Sequence, residues 1–430
     1  MTLATEPPKA NFRLGMLIYD TRYRSYTIQV IVLILFLMGV AWLANNTIAN
    51  LAAKDKDINF GFLWNRTGYD IGQHLIPYTN DDNHFRALLV GLLNTLVVAV
   101  IACFLSTILG VIIGVLRLSK NWLVARLMTV YIEIFRNVPL LLWLIVVFVV
   151  LSETRPTPID FRVTPEMIAK GEQPAASMLF FDSVAVTKGG TYIPSPLLSR
   201  PFPSIDLGPI SINLTLIAIF AVIIGSFYVN RILRRNAATV QEATGIRPTT
   251  WWKSALILIV PFAALMFALG LHWDYPALVG KIGKLVNFKG GLVVNHAFTA
   301  LTIGLTLYYA SVIAETVRAG IQAISRGQTE ASSALGLRPG RTMSLVILPQ
   351  ALRVIIPPLI SQYLSLTKDT SLGIAVSYLD LRGTLGGITL NQTGRELECM
   401  TLMMLIYLII SLIISAVMNA YNASVKLKER

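Results

Sequence analysis

The sequence predicts an all-α polytopic membrane protein with about eight transmembrane helices, and three observations carry that prediction. Of 430 residues, 54% are apolar and 14% charged, with a mean hydropathy of +0.64, a balance typical of bilayer-spanning chains. The apolar residues gather in eight runs that are long enough, or nearly so, to cross a bilayer. Charge alternates between the polar stretches that separate the runs. On one side Lys and Arg outnumber the acids roughly three to one; on the other, 15 Lys/Arg face 16 acids.

The runs follow in order. Thr27 to Ala44 is the first, after a polar start, and Asn45 to Arg86 is a connection carrying five Asp. Leu88 to Leu116 is the second run, and Arg117 to Arg126 a short basic loop. Leu127 to Leu151 reads as one span, with Glu133, Arg136 and Asn137 in its first turns. Ser152 to Gly208 is Pro-rich and too polar to span. Its Met178 to Phe181 cluster is expected to bury against something. Pro209 to Val229 and Ser254 to Leu271 are the fourth and fifth runs, joined by a basic loop. After a second polar loop, Ala297 to Ala314 is the sixth. Leu352 to Thr367 is the seventh, with Pro357-Pro358 expected to break it near its start. Lys368 to Glu398 is mixed and Gly-rich and is expected to re-enter the protein in part; Cys399 to Met418 is the eighth.

An even number of crossings puts both termini on one side. Charge makes that side cytoplasmic, together with Ser325 to Leu352. The net charge of +13 then reports cytoplasmic loops, and no nucleic-acid partner is expected. The first apolar run begins only at Thr27 and lacks a clear cleavage site, so no cleavable signal peptide is expected. Cys103 and Cys399 lie in apolar runs and read as buried thiols. The four His are scattered without metal-ligand spacing, and no nucleotide-binding motif or Ser/His/Asp set is present. No metal and no catalysis by this chain are expected.

The stretch from Ser325 to Leu352 is far more polar than its neighbours. Ser325 and Gln328 have capping-box spacing, and Thr329 to Leu335 is a short helical run of mostly small residues. Gly336 suits a left-handed helix stop, and Pro339-Gly340 suits a turn before a second helix through Leu348-Pro349. A helix of about ten residues is marginal alone, so the stretch reads as a helix lying on the membrane face and docked into a partner.

Glu330-Ala331-Ser332, Gly336 and Val346-Ile347-Leu348-Pro349 resemble the EAA loop of ABC importer permeases, with Ser332 and Val346 as conservative departures. Glu315 to Gly320, Ser365 to Leu372, Asn94-Thr95-Leu96 and Glu133 to Pro139 resemble the polar amino acid subfamily. The long N-terminal region and middle insertion resemble the longer permease of general L-amino acid importers. The resemblance implies a type I permease core with an extra helix pair and a periplasmic insertion, in a bacterial inner membrane. Four regions follow: 1–87, an N-terminal segment with the first helix; 88–151, the first part of the core; 152–296, the insertion and helix pair; and 297–430, the second part, with the coupling loop 325–352.

It implies an ATP-driven amino acid permease whose partners are ABC ATPase subunits, a second permease, a periplasmic amino acid-binding protein, an L-amino acid and membrane lipid. ATP and Mg would sit on the ATPases, with no cofactor on this chain. Glu330, Ala331, Ser332, Gly336 and Pro349 would couple to the ATPase; without the resemblance, Glu330 and Gly336 read as a cap residue and a helix stop. Lys368, Asp369, Thr370 and Ser371 read either as substrate-path residues or, for the first two, as an ion pair ending a helix. Glu133, Arg136 and Asn137 share one helix face and read as an interfacial set orienting the helix. The competing class is a secondary transporter or channel, which needs ionisable groups deep in the spans; these are nearly absent.

Overall fold

The structure, a computed structural model, describes residues 15–53, 57–207, 210–246, 248–280 and 286–425. Contacts divide the chain into two units, Met1–Gly61 and Phe62–Arg430. The first unit contains α1 (Thr21–Ala52), a 32-residue helix whose apolar side chains are exposed along its length. The second contains α2 (His84–Arg117), α3 (Trp122–Asn137), α4 (Leu140–Glu153), α5 (Leu214–Thr244), α6 (Trp251–Ala268), α7 (His296–Gln322), α8 (Arg326–Ala334), α9 (Leu348–Asp369) and α10 (Glu396–Val425). Among the described residues, seven helical segments are long and apolar enough to cross a membrane, and there are eight if the bent pair α3–α4 counts as one span.

The core of the second unit forms where α2 meets α7. Gly110 and Gly114 on α2 face Ala310 and Ala314 on α7. A Cβ at Gly114 would stand 2.6 Å from the Ala314 carbonyl oxygen. Small residues four apart on both helices let the backbones close, the packing mode expected where lipid removes the hydrophobic drive between helices. Val98, Ala102, Leu144, Leu301, Leu305 and Leu366, from α2, α4, α7 and α9, fill the centre.

The third run is not one continuous helix. It breaks at Val138-Pro139, and α3 and α4 diverge by 102°. Pro139 has no N–H to continue the ladder, and it holds Val138 extended at φ −98°, ψ 131°. Tyr131 Oη donates to the Leu307 carbonyl at 2.8 Å, and Phe135 stacks on Trp143 across the break at 4.4 Å. Pro357 and Pro358 act in the opposite way to expectation: α9 runs through both, and helical structure extends from Pro339 to Val376. Buried neighbours can hold a helix whose own ladder has lost two donors.

The 152–208 segment folds with the second loop. β1 (Ala185–Thr187), β2 (Gly190–Ile193) and β9 (Leu292–Val294) form one antiparallel sheet, and β3 (Ser195–Leu198) pairs β6 (Leu271–Asp274). β4 (Ser204–Leu207) pairs β5 (Ile210–Asn213), and β7 (Ala277–Val279) pairs β8 (Asn287–Lys289). Tyr192 and Phe161 close on Phe288 beneath these strands. The strands are confined to the two loops; the membrane part is helical. α5 and α6 pack mainly on each other, joined by a connection in which Gly245 stops α5 at φ +72°.

Candidate functional site

Two regions of the second unit carry the residues of interest, one at each end of the bundle. At the connector end, residues 323–347 lead from α7 into α9. Ser325 sits at the N-cap of α8 with extended backbone, but the capping box does not form. The Gln328 side chain instead accepts from Gln350 Nε2 at 3.2 Å, tying α8 to the start of α9. Gly336 takes φ +72°, and the Gly336 and Leu337 amides donate to the Ser333 and Ser332 carbonyls at 2.9 and 3.1 Å. That is the left-handed stop the sequence predicted. Pro339-Gly340 makes no turn: Pro339 opens a short helix, Pro339–Thr342, followed by a π-helical segment, Met343–Ile347, and then Leu348-Pro349 of α9.

Glu330 and Ala331 are exposed, whereas Ser332 is buried and donates to the Gln328 carbonyl at 2.7 Å. Leu335, at the end of α8, is 81% exposed. The helix thus rests one edge on its own connector and leaves the rest uncovered in this chain. Just inside it, Glu315 is held by Arg117 at the end of α2 and by Arg318 one turn along α7, with Arg318 Nε 3.1 Å from Glu315 Oε1. The clamp ties α2 to the helix that feeds the connector. Glu133, Arg136 and Asn137 lie exposed in the last turns of α3, just before the break, rather than in the first turns of a span. Asn137 Nδ2 donates to Glu133 Oε2 at 3.2 Å, and Arg136 adds positive charge within electrostatic reach of Glu315.

At the far end, the four residues Lys368 to Ser371 separate. Asp369 turns inward and accepts from Tyr309 Oη at 2.6 Å. Thr370 is fully buried and donates to the Thr367 carbonyl. Lys368 and Ser371 face a cavity of about 400 Å³ walled by Arg382, Met403, Tyr407 and Ser411. Among the described residues, Asp369 takes Tyr309 as its hydrogen-bond partner and makes no close ion pair with Lys368, which stays within electrostatic reach.

Residues 370–395 re-enter the bundle as expected, in short 3-10, α and π turns. Asn94 Nδ2 donates to the Leu379 carbonyl at 2.9 Å, the Leu381 amide donates to Thr95 Oγ1 at 3.0 Å, and Tyr378 Oη donates to the Asn94 carbonyl at 3.2 Å. Thr384 packs where Gly91 leaves room. Asp380, in this connection and outside either flanking span, is fully buried; burial pushes its carboxyl from 3.8 up to about 7, against bonds from the Gly383 amide and Tyr407 Oη. The re-entry thus carries Arg382 to the wall opposite Lys368. Sequence reasoning missed Arg382, Asp380 and Tyr407. The available signal was a pair of charges in a Gly-rich stretch between two apolar runs.

Residues 220–427 match the family described as binding-protein-dependent transport system inner membrane component. The glutamate/glutamine/aspartate/asparagine transport system permease protein BztB of Rhodobacter capsulatus is 66% identical over 100% of both chains. The general L-amino acid transport system permease protein AapQ of Rhizobium johnstonii is 41% identical over 98% of this chain and 96% of its own. The putative amino-acid ABC transporter permease protein YhdX of Escherichia coli is 39% identical over 95% of each. A solved amino acid ABC transporter with histidines superposes with a TM-score of 0.42 at 17% identity, covering 79% of this chain and 95% of that one. Full-length identity, the α8 connector and the apolar spans together place this multi-pass inner-membrane chain in the permease family of binding-protein-dependent amino acid ABC importers.

Proposed function

We propose that α8 is the element by which this permease is driven. Its carrying observation is a nine-residue helix, too short to be stable alone, with a left-handed stop and an almost wholly exposed surface. An ATPase subunit docks on Glu330, Ala331, Ser333 and Leu335. Ser332 and Pro349 hold the connector from within. Nucleotide and Mg belong to that partner, and this chain transfers motion rather than performing catalysis. The connector end is cytoplasmic, in keeping with the basic loops that accompany it. Counting the bent pair α3–α4 as one span gives eight crossings and puts both termini on the same side; residues 1–14 and 426–430 themselves lie outside the described residues.

A second permease completes the translocation path. The cavity beside Lys368, Ser371 and Arg382 takes the carboxylate end of the amino acid: it offers two cations and three hydroxyls on an apolar wall. The named relatives carry acidic amino acids, their amides or L-amino acids generally, and we infer that range for this chain. The 62–430 unit holds both the docking helix and this cavity, so regions 88–151 and 297–430 act as one core with the insertion set into it.

The test is uptake of glutamate and of a neutral L-amino acid into proteoliposomes holding this chain with its ATPase, second permease and binding protein. Uptake is expected only with ATP, and a cysteine at Ser333 is expected to cross-link to the ATPase. Uptake driven by an ion gradient without the ATPase would favour the secondary-transporter reading and refute this one.

A further inference from the structure

The helix pair α5–α6 carries a basic cluster that neither the connector nor the far-end cavity uses. α5 is apolar for most of Leu214 to Val229 and then presents Arg231, Arg234 and Arg235. All three are exposed, and among the described residues no acid forms an ion pair with them. Glu242, the one acid between Asp206 and Asp274 in the sequence, lies seven residues beyond Arg235. That is about 10 Å along the helix.

Their depth follows from the other end of the pair. The Arg200 amide donates to the Leu269 carbonyl, at the cap of α6, at 3.0 Å. Two residues on, the Phe202 amide donates to Thr215 Oγ1, in the first turn of α5, at 2.8 Å. The start of α5 and the end of α6 therefore lie nearly level. α6 has 18 residues, and Arg231 is the eighteenth residue of α5. Arg231 comes level with Trp251, the first residue of α6, about 27 Å from the pinned end. The hydrocarbon of a bilayer is about 30 Å thick, so both helices leave it here. Arg234 and Arg235 stand about 5 Å further out, within the headgroup layer. Trp251 is 76% exposed, and Lys253 Nζ lies 5.3 Å from the centre of the Trp252 ring, a pairing of aromatic and cation suited to the membrane interface.

The side chains in line with the arginines say what fills the space beside them. Asn230 and Ala237 are buried and mark the inward edge of α5. At about 100° per residue, the three arginines occupy an arc from about 40° to about 140° beside that edge. Ile217, Phe220, Ile224 and Phe227 fall in the same arc, and each is more than half exposed. One lane on the surface of α5 runs from an apolar wall to unpaired cations. A free anion uses only the cations, and a helix packed within the membrane uses only the wall. A phospholipid with a negative headgroup uses both: its acyl chains lie along the wall, and its phosphate meets guanidinium groups that bind such oxygens bidentately.

We propose that this lane is a fixed site for an anionic phospholipid, whose phosphate is held by Arg231, Arg234 and Arg235. Either leaflet can supply such a lipid, so the site requires neither the orientation nor the cargo proposed above. The experiment places the assembled transporter in nanodiscs holding equal parts of phosphatidylglycerol and phosphatidylcholine with the same acyl chains. The lipid that stays bound on release is counted by native mass spectrometry. The wild type is expected to retain phosphatidylglycerol in preference. Arg231→Gln, Arg234→Gln and Arg235→Gln each lower that preference about fivefold, and together roughly a hundredfold. The single variants keep two of the three charges and so keep membrane insertion, and the three corresponding Lys variants, combined, restore most of the preference. Equal retention of both lipids by the wild type, or an unchanged preference in the triple Gln variant, overturns the proposal. Displacement of the lipid by inorganic phosphate overturns it in favour of a free-anion site. An equal loss on replacing the connector residues Arg338 and Arg341 by Gln overturns it in favour of diffuse surface charge. Loss of a partner subunit from the triple Gln variant, with the lipid preference intact, overturns it in favour of a protein contact.

Discussion

Replacing Gly336 tests the coupling reading most directly, because the structure separates backbone from bulk at this position. Gly336 holds φ +72°, and a Cβ built there meets nothing within 4 Å. Within this chain a larger side chain therefore costs conformation alone. An L-residue in the left-handed region costs about 1–2 kcal/mol, with β-branched residues worst and Asn tolerated. Lost from the stop of α8, that amount lowers the population of the closed connector roughly 5- to 30-fold. The helix has only nine residues and little packing of its own to resist the change. Gly336→Asn is expected to transport near the wild-type level, Gly336→Ala less, and Gly336→Val least. The assay is amino acid taken up per ATP hydrolysed in proteoliposomes, with insertion checked by expression in the membrane. Wild-type coupling in the Val variant would show that the left-handed stop is dispensable. Equal defects in Asn and Val would refute the conformational reasoning, because they would make side-chain bulk at a docked surface the cause.

Three further outcomes are expected. Gly114→Leu forces a side chain against the Ala314 carbonyl, where even a Cβ would stand at 2.6 Å, so stability falls by an overpacking cost of about 1–3 kcal/mol, read as a lower melting temperature of the purified chain; an unchanged melting temperature would show that α2 and α7 can separate freely. Lys368→Gln and Arg382→Gln each lower ATP-driven uptake of glutamate and of a neutral amino acid alike, because both carry the α-carboxylate, and unchanged uptake of both would remove the carboxylate from the cavity. Asp380, whose folded value is raised from 3.8 to about 7, favours the fold while protonated, so its burial destabilises progressively as pH climbs between those values and levels off above 7. Melting measured across that window should slope downward in the wild type and more weakly in Asp380→Asn; identical slopes would show that another group titrates.

The parts of this fold that were legible in the sequence are those set by local chemistry. Gly336 could be read as a stop because the left-handed region excludes most other residues, and α2 because 29 consecutive mostly apolar residues leave few other structures open. Proline was ambiguous because its effect depends on what surrounds it. At Val138-Pro139 the missing donor becomes a 102° break, and Phe135 and Trp143 brace the new angle. At Pro357-Pro358 the same deficit sits in a helix packed through Ile355, Ile356 and Leu359, and the helix continues. The strands left no local period: they are three or four residues long and pair across distances such as Ser195 to Asp274. The far-end cavity was hidden for a related reason. Lys368 and Ser371 acquire Arg382 and Tyr407 as neighbours only because the connection after α9 folds back onto Asn94 and Thr95. Those two residues, conspicuous in the sequence as a motif on the second span, prove to be the brackets that hold the re-entrant segment. If the cavity takes substrate as proposed, Asn94 and Thr95 act on it through the placement of Arg382.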